Sequence, residues 1–290
     1  MTTSAIGMVT RNVTVAGTRF LLRETGQGDG TPVLLLHGVP ETSSVWRDIQ
    51  PLLATGRRVL APDLPGLGGS AYTGPFDMPS LVEQLVALLD AELPGQAVDV
   101  VGHDWGGVAA MWLAGLHPGR VRRLAVANAP HGKVNPLRAA HIPFFALPVV
   151  PELAFRLLGK RIVDTLLALG WKADQPLDAE RHAEYVAAYA EPERVTAMLG
   201  YYRAAARPPV LSAAHLAPAP PRPPEVEAER RLVIWGAADP ALPLGVGEAV
   251  VTALGADCVM VTIPGAGHFV IEEGHQVVAD TLIEFLANDS

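Results

Sequence analysis

The sequence predicts an α/β protein with a mostly parallel central sheet and an inserted all-helical cap, and three observations lead there. Short apolar runs, such as Val33-Leu34-Leu35-Leu36 and Val98 to Val101, alternate with helical patterns through the first part of the chain. Such runs suit strands buried on both faces of a parallel sheet. From Lys133 to Ala217 the helical patterns continue without a convincing strand, and strand signals resume at Leu232 to Trp235 and Val259 to Ile263. Finally, Val98 to Val101 runs into Gly102-His103-Asp104-Trp105-Gly106-Gly107 and then an Ala- and Leu-rich segment to Leu116. That reads as a strand, a sharp turn and a helix. The expected organisation is a core over 1–131, a helical cap over 132–217 and the rest of the core over 218–290.

In chain order, Val13-Thr14-Val15 and Arg19 to Arg23 read as a hairpin joined at Ala16-Gly17. Gly26 to Gly30 is a loop before strand Val33 to Leu36. Ser43 or Ser44 is expected to cap a helix from Val45 to Leu53, and Arg58 to Ala61 is the next strand. Pro62 to Ser70 is a turn-rich loop. Pro79 and Ser80 start a helix with Leu81, Leu85, Leu88 and Leu89 on one face. Leu124 to Val126 closes the first block. Leu153 to Leu158, Ile162 to Leu169, Ala179 to Ala190 and Pro192 to Ala206 are the cap helices. Ala217 to Pro224 is a stiff, proline-rich connection, and Gln276 to Leu286 is the last helix.

Composition narrows the function class. The chain has 290 residues, 49% of them hydrophobic, which is ample for a large core. A net charge of −8, with no basic run longer than a pair of arginines, argues against nucleic acid as a partner. Cys258 is the single cysteine, expected as an inert thiol in an apolar strand. Met1 to Thr10 lacks the pattern of a signal peptide, and no apolar run reaches the roughly 18 residues of a membrane span. A soluble cytoplasmic protein with no membrane partner is therefore expected.

The turn at Asp104 carries the chemistry. Gly102 and Gly106 flank its apex as in a nucleophile elbow, but an Asp stands where most hydrolases have Ser. A carboxylate, with an ordinary pKa of about 4, is already an anion at neutral pH. Attack on an ester would give a reactive anhydride. Attack on a saturated carbon gives an alkyl ester that water can cleave, which points to epoxides or carbon–halogen bonds. The plainer alternative is that Asp104 only caps the following helix.

The chain also carries His37-Gly38-Val39-Pro40, Asp63-Leu64-Pro65-Gly66-Leu67-Gly68-Gly69-Ser70, Trp235-Gly236-Ala237-Ala238-Asp239 and Gly265-Ala266-Gly267-His268-Phe269. With the Asp104 turn, this order resembles the epoxide hydrolases of the α/β-hydrolase fold over almost the whole chain. Haloalkane dehalogenases share most of these motifs. Tyr201-Tyr202-Arg203 looks like the cap segment that holds the epoxide oxygen, with Tyr202 at the matching position. His141-Ile142-Pro143-Phe144-Phe145 looks like the Cif-type bacterial branch, where His replaces the first cap tyrosine. Two departures from that branch are the missing secretion signal and Asn128 at the place of its acidic relay residue, so the acid is assigned to Asp239.

The resemblance implies a role for each residue. Asp104 is the nucleophile, His268 activates water against its ester, and Asp239 fixes the tautomer of His268. The backbone N–H groups of Val39 and Trp105 form the oxyanion hole. Tyr202 and His141 are the donors to the ring oxygen. His37, Pro40, Phe144 and Tyr201 are placed at the substrate pocket, although His37 and His103 also read as loop-holding structural residues. Asp239 could instead be a turn residue before Pro240, His268 a loop histidine, and Tyr202 and His141 core side chains. His275 reads as surface, and Trp46, Trp171, Phe145 and Met198 as core or pocket wall. No cofactor and no metal is expected. The implied partners are a small epoxide and water, with a homodimer left open. The rivals are a haloalkane dehalogenase, against which Val39 lacks the amide donor of the usual Asn, and a non-catalytic small-molecule receptor, against which all three catalytic candidates are present.

Overall fold

A computed structural model describes residues 7–132, 134–206 and 224–287. Eight strands form one sheet in the order β1-β2-β4-β3-β5-β6-β7-β8. β1 (Val9–Val15) and β2 (Thr18–Thr25) are an antiparallel hairpin, turned at Ala16 and Gly17, both with positive φ. β2 also pairs antiparallel with β4 (Arg57–Pro62). All other pairings are parallel, through β3 (Gly30–Leu36), β5 (Val98–His103), β6 (Val121–Ala127), β7 (Arg230–Gly236) and β8 (Val259–Ile263). Every residue of β5 is buried, Asp99 among them, as its central place in the sheet requires; the Asp99 carboxylate lies 3.7 Å from Arg57 and 3.9 Å from Arg123.

The two-residue period of the strands divides the core between the two faces. Leu34 and Leu36 join one cluster with α2 (Met78–Glu92), α3 (Trp105–Leu116) and α8 (Leu244–Leu254). Val33 and Leu35 join the other with α1 (Gln50–Leu53) and α10 (His275–Ala287). Each buried aliphatic side chain of this kind stabilises the fold by about 1.5–3 kcal/mol relative to exposure.

Between β6 and β7 lies a helical block of α4 (His141–Phe145), α5 (Val150–Gly170), α6 (Ala179–Ala188) and α7 (Pro192–Ala205). Phe145, Phe155, Leu167, Tyr185, Met198 and Tyr202 belong to the same apolar cluster as the α2–α3 face of the sheet. The block also reaches the other side, where Arg181 of α6 pairs with Asp48 and Glu272, so it spans both faces at one end of the sheet. Among the described residues, no helix is long and apolar enough to cross a membrane.

Several elements differ from expectation. The helix expected over Val45 to Leu53 is a 3₁₀ turn, Ser43–Trp46, followed by the separate α1. Pro51 is the reason: it has no N–H for a continuing helix, and it sits instead in the first turn of α1. The cap of the 3₁₀ turn is Thr42 rather than Ser43 or Ser44. The two helices expected within 153–169 do occur, meeting within α5 at a kink at Leu158 (φ −134°, ψ 18°). Cys258 precedes β8 rather than lying in it; it is buried, and burial pushes its thiol up to about 11. The connection expected over Ala217 to Pro224 lies outside the described residues except for Pro224.

Candidate active site

The candidate residues meet at one edge of the sheet, because parallel strands carry their following loops on the same side. Val39 follows β3, Asp104 follows β5, Asn128 follows β6, and Asp239 and His268 lie beyond the ends of β7 and β8. Asp104 has φ 47° and ψ −119°, a conformation that a non-glycine residue keeps only where its surroundings hold it. Those surroundings leave no space: a Cβ on Gly102 would fall 2.3 Å from the Gly106 carbonyl oxygen, and one on Gly106 2.3 Å from that of Leu36. The Asp104 side chain makes no capping bond to α3. Its Oδ2 instead accepts the Val39 N–H at 3.0 Å. Trp105 is the first residue of α3, so its N–H has no acceptor within the helix.

Across from Asp104, His268 Nε2 lies 3.9 Å from its Oδ1, too far for a direct hydrogen bond. His268 Nδ1 contacts Asp239 Oδ2 at 2.7 Å. Asp239 is buried and oriented by its other partners: the N–H groups of Ala241 and Leu242 donate to Oδ1 at 2.8 and 2.9 Å. Asn128 Nδ2 donates to Oδ2 at 2.6 Å, while its Oδ1 accepts the Gly236 N–H at 2.8 Å. Asn128 thus supports the carboxylate that contacts His268 and is not itself an acid. Burial pulls the His268 pKa down, but the carboxylates of Asp239, Asp104 and Glu41 outweigh it and lift it to about 9.

His141 and Tyr202 come together although 61 residues separate them in sequence. Their rings stand edge to face with centroids 5.9 Å apart, and Tyr202 also meets Trp105 edge to face at 5.0 Å. Burial, with the Asp104 charge nearby, raises the Tyr202 phenol well above its ordinary value. Burial lowers His141, against the pull of Asp104, so its imidazole is neutral near pH 7. Phe144 packs partly buried against the core beside Phe145.

Two residues expected at the pocket spend their polar groups within the protein. His37 is fully buried, with Nδ1 on the Gly38 carbonyl at 2.8 Å and Nε2 accepting the Leu64 N–H at 2.9 Å. Neither ring nitrogen is left for a substrate. Tyr201 is buried and donates its O–H to the Pro65 carbonyl at 2.8 Å, so its hydroxyl is committed to the core. Pro40 is buried and follows a cis peptide bond.

The sequence reading missed Glu41. This buried carboxylate accepts the Gly38 N–H at 3.0 Å and contacts His103 Nδ1 at 2.7 Å, and His103 Nε2 meets the His268 carbonyl at 2.8 Å. Both His103 nitrogens face acceptors. Although burial opposes charge, Glu41 raises its pKa, the direction that suits a ring with both nitrogens on acceptors. No spacing rule joins Glu41 to a histidine 62 positions away; only the adjacency of β3 and β5 does. Among the described residues, no group of three or more His, Cys, Asp or Glu side chains is placed to hold a metal ion.

The sequence profile described as alpha/beta hydrolase fold matches residues 31–275. The AB hydrolase superfamily protein YfhM of Bacillus subtilis (strain 168) is 28% identical, over 97% of this chain and 99% of that protein. Epoxide hydrolase 2 of Caenorhabditis elegans is 26% identical, over 92% of this chain and 77% of its own. Among solved structures, Epoxide Hydrolase A from Mycobacterium thermoresistibile superposes with a TM-score of 0.76 at 28% identity, covering 97% of this chain and 99% of that one.

Proposed function

The chain belongs to the α/β-hydrolase-fold family, and within it we propose an epoxide hydrolase that works through an alkyl ester on Asp104. The observation that carries this reading is a carboxylate at the strained elbow beside a histidine paired with a second carboxylate, with the neighbouring His141 and Tyr202 rings near enough to feel its charge. Relatives named epoxide hydrolase at 26% and 28% identity support it.

In the proposed reaction, Asp104 Oδ1 attacks a ring carbon and the carbon–oxygen bond breaks. The electron pair goes to the ring oxygen, which takes a proton from Tyr202 while His141 donates a hydrogen bond. A neutral phenol and a neutral imidazole are the right states for those tasks. His268 next removes a proton from water, which attacks the ester carbonyl. The Val39 and Trp105 N–H groups stabilise the resulting oxyanion. Its collapse breaks the ester bond to the substrate oxygen, which takes the proton back from His268. The second proton of the water passes from the Asp104 carboxyl to the Tyr202 phenolate, so that the diol leaves and carboxylate, imidazole and phenol are all restored. The charge of Asp104 is one of three carboxylate charges, with those of Asp239 and Glu41, that hold the His268 pKa near 9. Esterification removes it, which lowers that pKa and leaves more of the histidine unprotonated when water must be activated.

The test is incubation of the purified protein with a panel of epoxides and haloalkanes, following diol and halide. Diol from at least one epoxide is expected. Halide release faster than the opening of every epoxide would replace this reading with a dehalogenase.

A further inference from the structure

Glu273 ends α9 (Val270–Glu273), five residues after His268. Its carboxylate accepts four backbone N–H groups. Oε2 takes Lys172 at 2.6 Å, Ala173 at 2.8 Å and Gly267 at 3.0 Å, and Oε1 takes Phe269 at 3.1 Å. Two of these donors belong to the helical block just beyond α5; the other two flank His268. The His268 N–H itself donates to the carbonyl of Gly170, the last residue of α5, at 2.9 Å.

The seam is too close for side chains. A Cβ on Gly267 would fall 2.1 Å from the Gly170 oxygen, and one on Gly170 2.6 Å from the Phe269 ring and 3.1 Å from the His268 Cβ. A second tie lies beside it, where Glu272 Oε1 accepts Arg181 Nη1 at 3.0 Å and the Tyr185 O–H at 3.1 Å, both from α6. Asp104 is held by different groups: its N–H donates to the Ala127 carbonyl and its Oδ2 accepts the Val39 N–H.

We infer that Glu273 is a positioning residue for the His268 step, holding the histidine loop against the end of α5 so that the helical block sets where the imidazole stands. A carboxylate suits the place because it only accepts, and its two oxygens can satisfy four donors. The nucleophile does not depend on this clamp. Its loss therefore slows hydrolysis of the ester and leaves ester formation nearly unchanged.

The inference rests on His268 being the base of the proposed reaction, so the experiment has two arms. In the first, single-turnover kinetics compare the wild type with Glu273→Gln, whose amide turns a donor toward donors. Hydrolysis is expected to fall by about 10–10²-fold, the scale of a small misplacement, with alkylation within about threefold. Lys172→Pro deletes one donor from the block side without touching α9. Trp171 before it is already extended (φ −75°, ψ 133°), as a residue preceding proline must be. It should show the same split more weakly.

The second arm needs no substrate: NMR titration of the His268 ring, which faces Asp239, Asp104 and the Glu41–His103 pair. Its midpoint, expected above that of a free histidine in the wild type because Asp239 faces the ring, is expected to fall in Glu273→Gln as the loop and Asp239 part. Equal slowing of both steps, or no slowing, with an unchanged midpoint would overturn the role of Glu273. A wild type that forms neither ester nor diol would overturn the proposed function, and the titration would still decide on Glu273.

Discussion

At the scale of single residues, the site divides the work between groups whose removal has separable consequences. If Asp104 attacks carbon and His268 acts only on water, His268→Gln still alkylates but does not turn over. Intact-protein mass spectrometry after addition of an accepted epoxide should show one substrate mass, mapped to the peptide containing Asp104, and Asp104→Ala should show none. The same logic applies to the buried contact of His268 Nδ1 with Asp239. Asp239→Asn should slow ester hydrolysis far more than ester formation, and full turnover in that variant would remove Asp239 from its role. For ring opening, a positioned acid is typically worth about 10²–10⁴-fold. Tyr202→Phe should cut the alkylation rate by that order in stopped-flow measurements. His141→Ala should cut it less because one donor remains, and His141→Tyr should recover the loss. Unchanged alkylation in both Tyr202→Phe and His141→Ala would dismiss this donor pair.

At the scale of elements, the passage from β5 to α3 is held by contact between backbones rather than by side chains. Gly106→Ala would place a methyl 2.3 Å from the Leu36 carbonyl oxygen, and neither β3 nor the start of α3 can move aside without shifting Asp104. Overpacking of this kind costs about 1–3 kcal/mol. Urea denaturation of Gly106→Ala should show a loss of at least that size, together with slower alkylation. Gly119→Ala is a useful contrast. There a Cβ would meet nothing within 4 Å, so only the positive φ of 80° is penalised, and alkylation should be unaffected.

At the scale of the whole molecule, the site's electrostatics are linked to stability. The pKa of His268 in the folded protein, about 9, lies above the roughly 6.5 of a free histidine. The stability it contributes is therefore fully present below about pH 6.5 and is lost as pH rises through 9. Urea midpoints measured from pH 6 to 9.5 should fall more steeply for the wild type than for His268→Gln, whose neutral side chain has no such term. Parallel curves would show that the histidine does not gain its charge from the folded site.

The sequence by itself determined the α/β class, the helical stretch between two sets of strands, and the turn at Asp104. These are local signals: apolar runs of strand length, helical periodicity, and glycines where two backbones touch. The motifs likewise brought Asp239 and His268 into the reading, because each follows a recognisable strand. Helix limits were unevenly legible: Pro51 splits the stretch expected as one helix, whereas the break expected after Leu158 falls at Leu158 itself. Only the tertiary structure decided which polar groups are spent on the core. His37 and Tyr201 lie in the right motifs, yet backbone partners occupy both nitrogens of one and the hydroxyl of the other. Glu41 and Glu273 carry no sequence signal for the contacts that tie distant elements together, with His103 62 positions away and with Lys172 and Ala173 101 and 100 positions away. Local patterns report on an element's own periodicity and turns. Hydrogen-bond partners across the molecule depend on how strands and helices are placed against one another, which long-range packing alone settles.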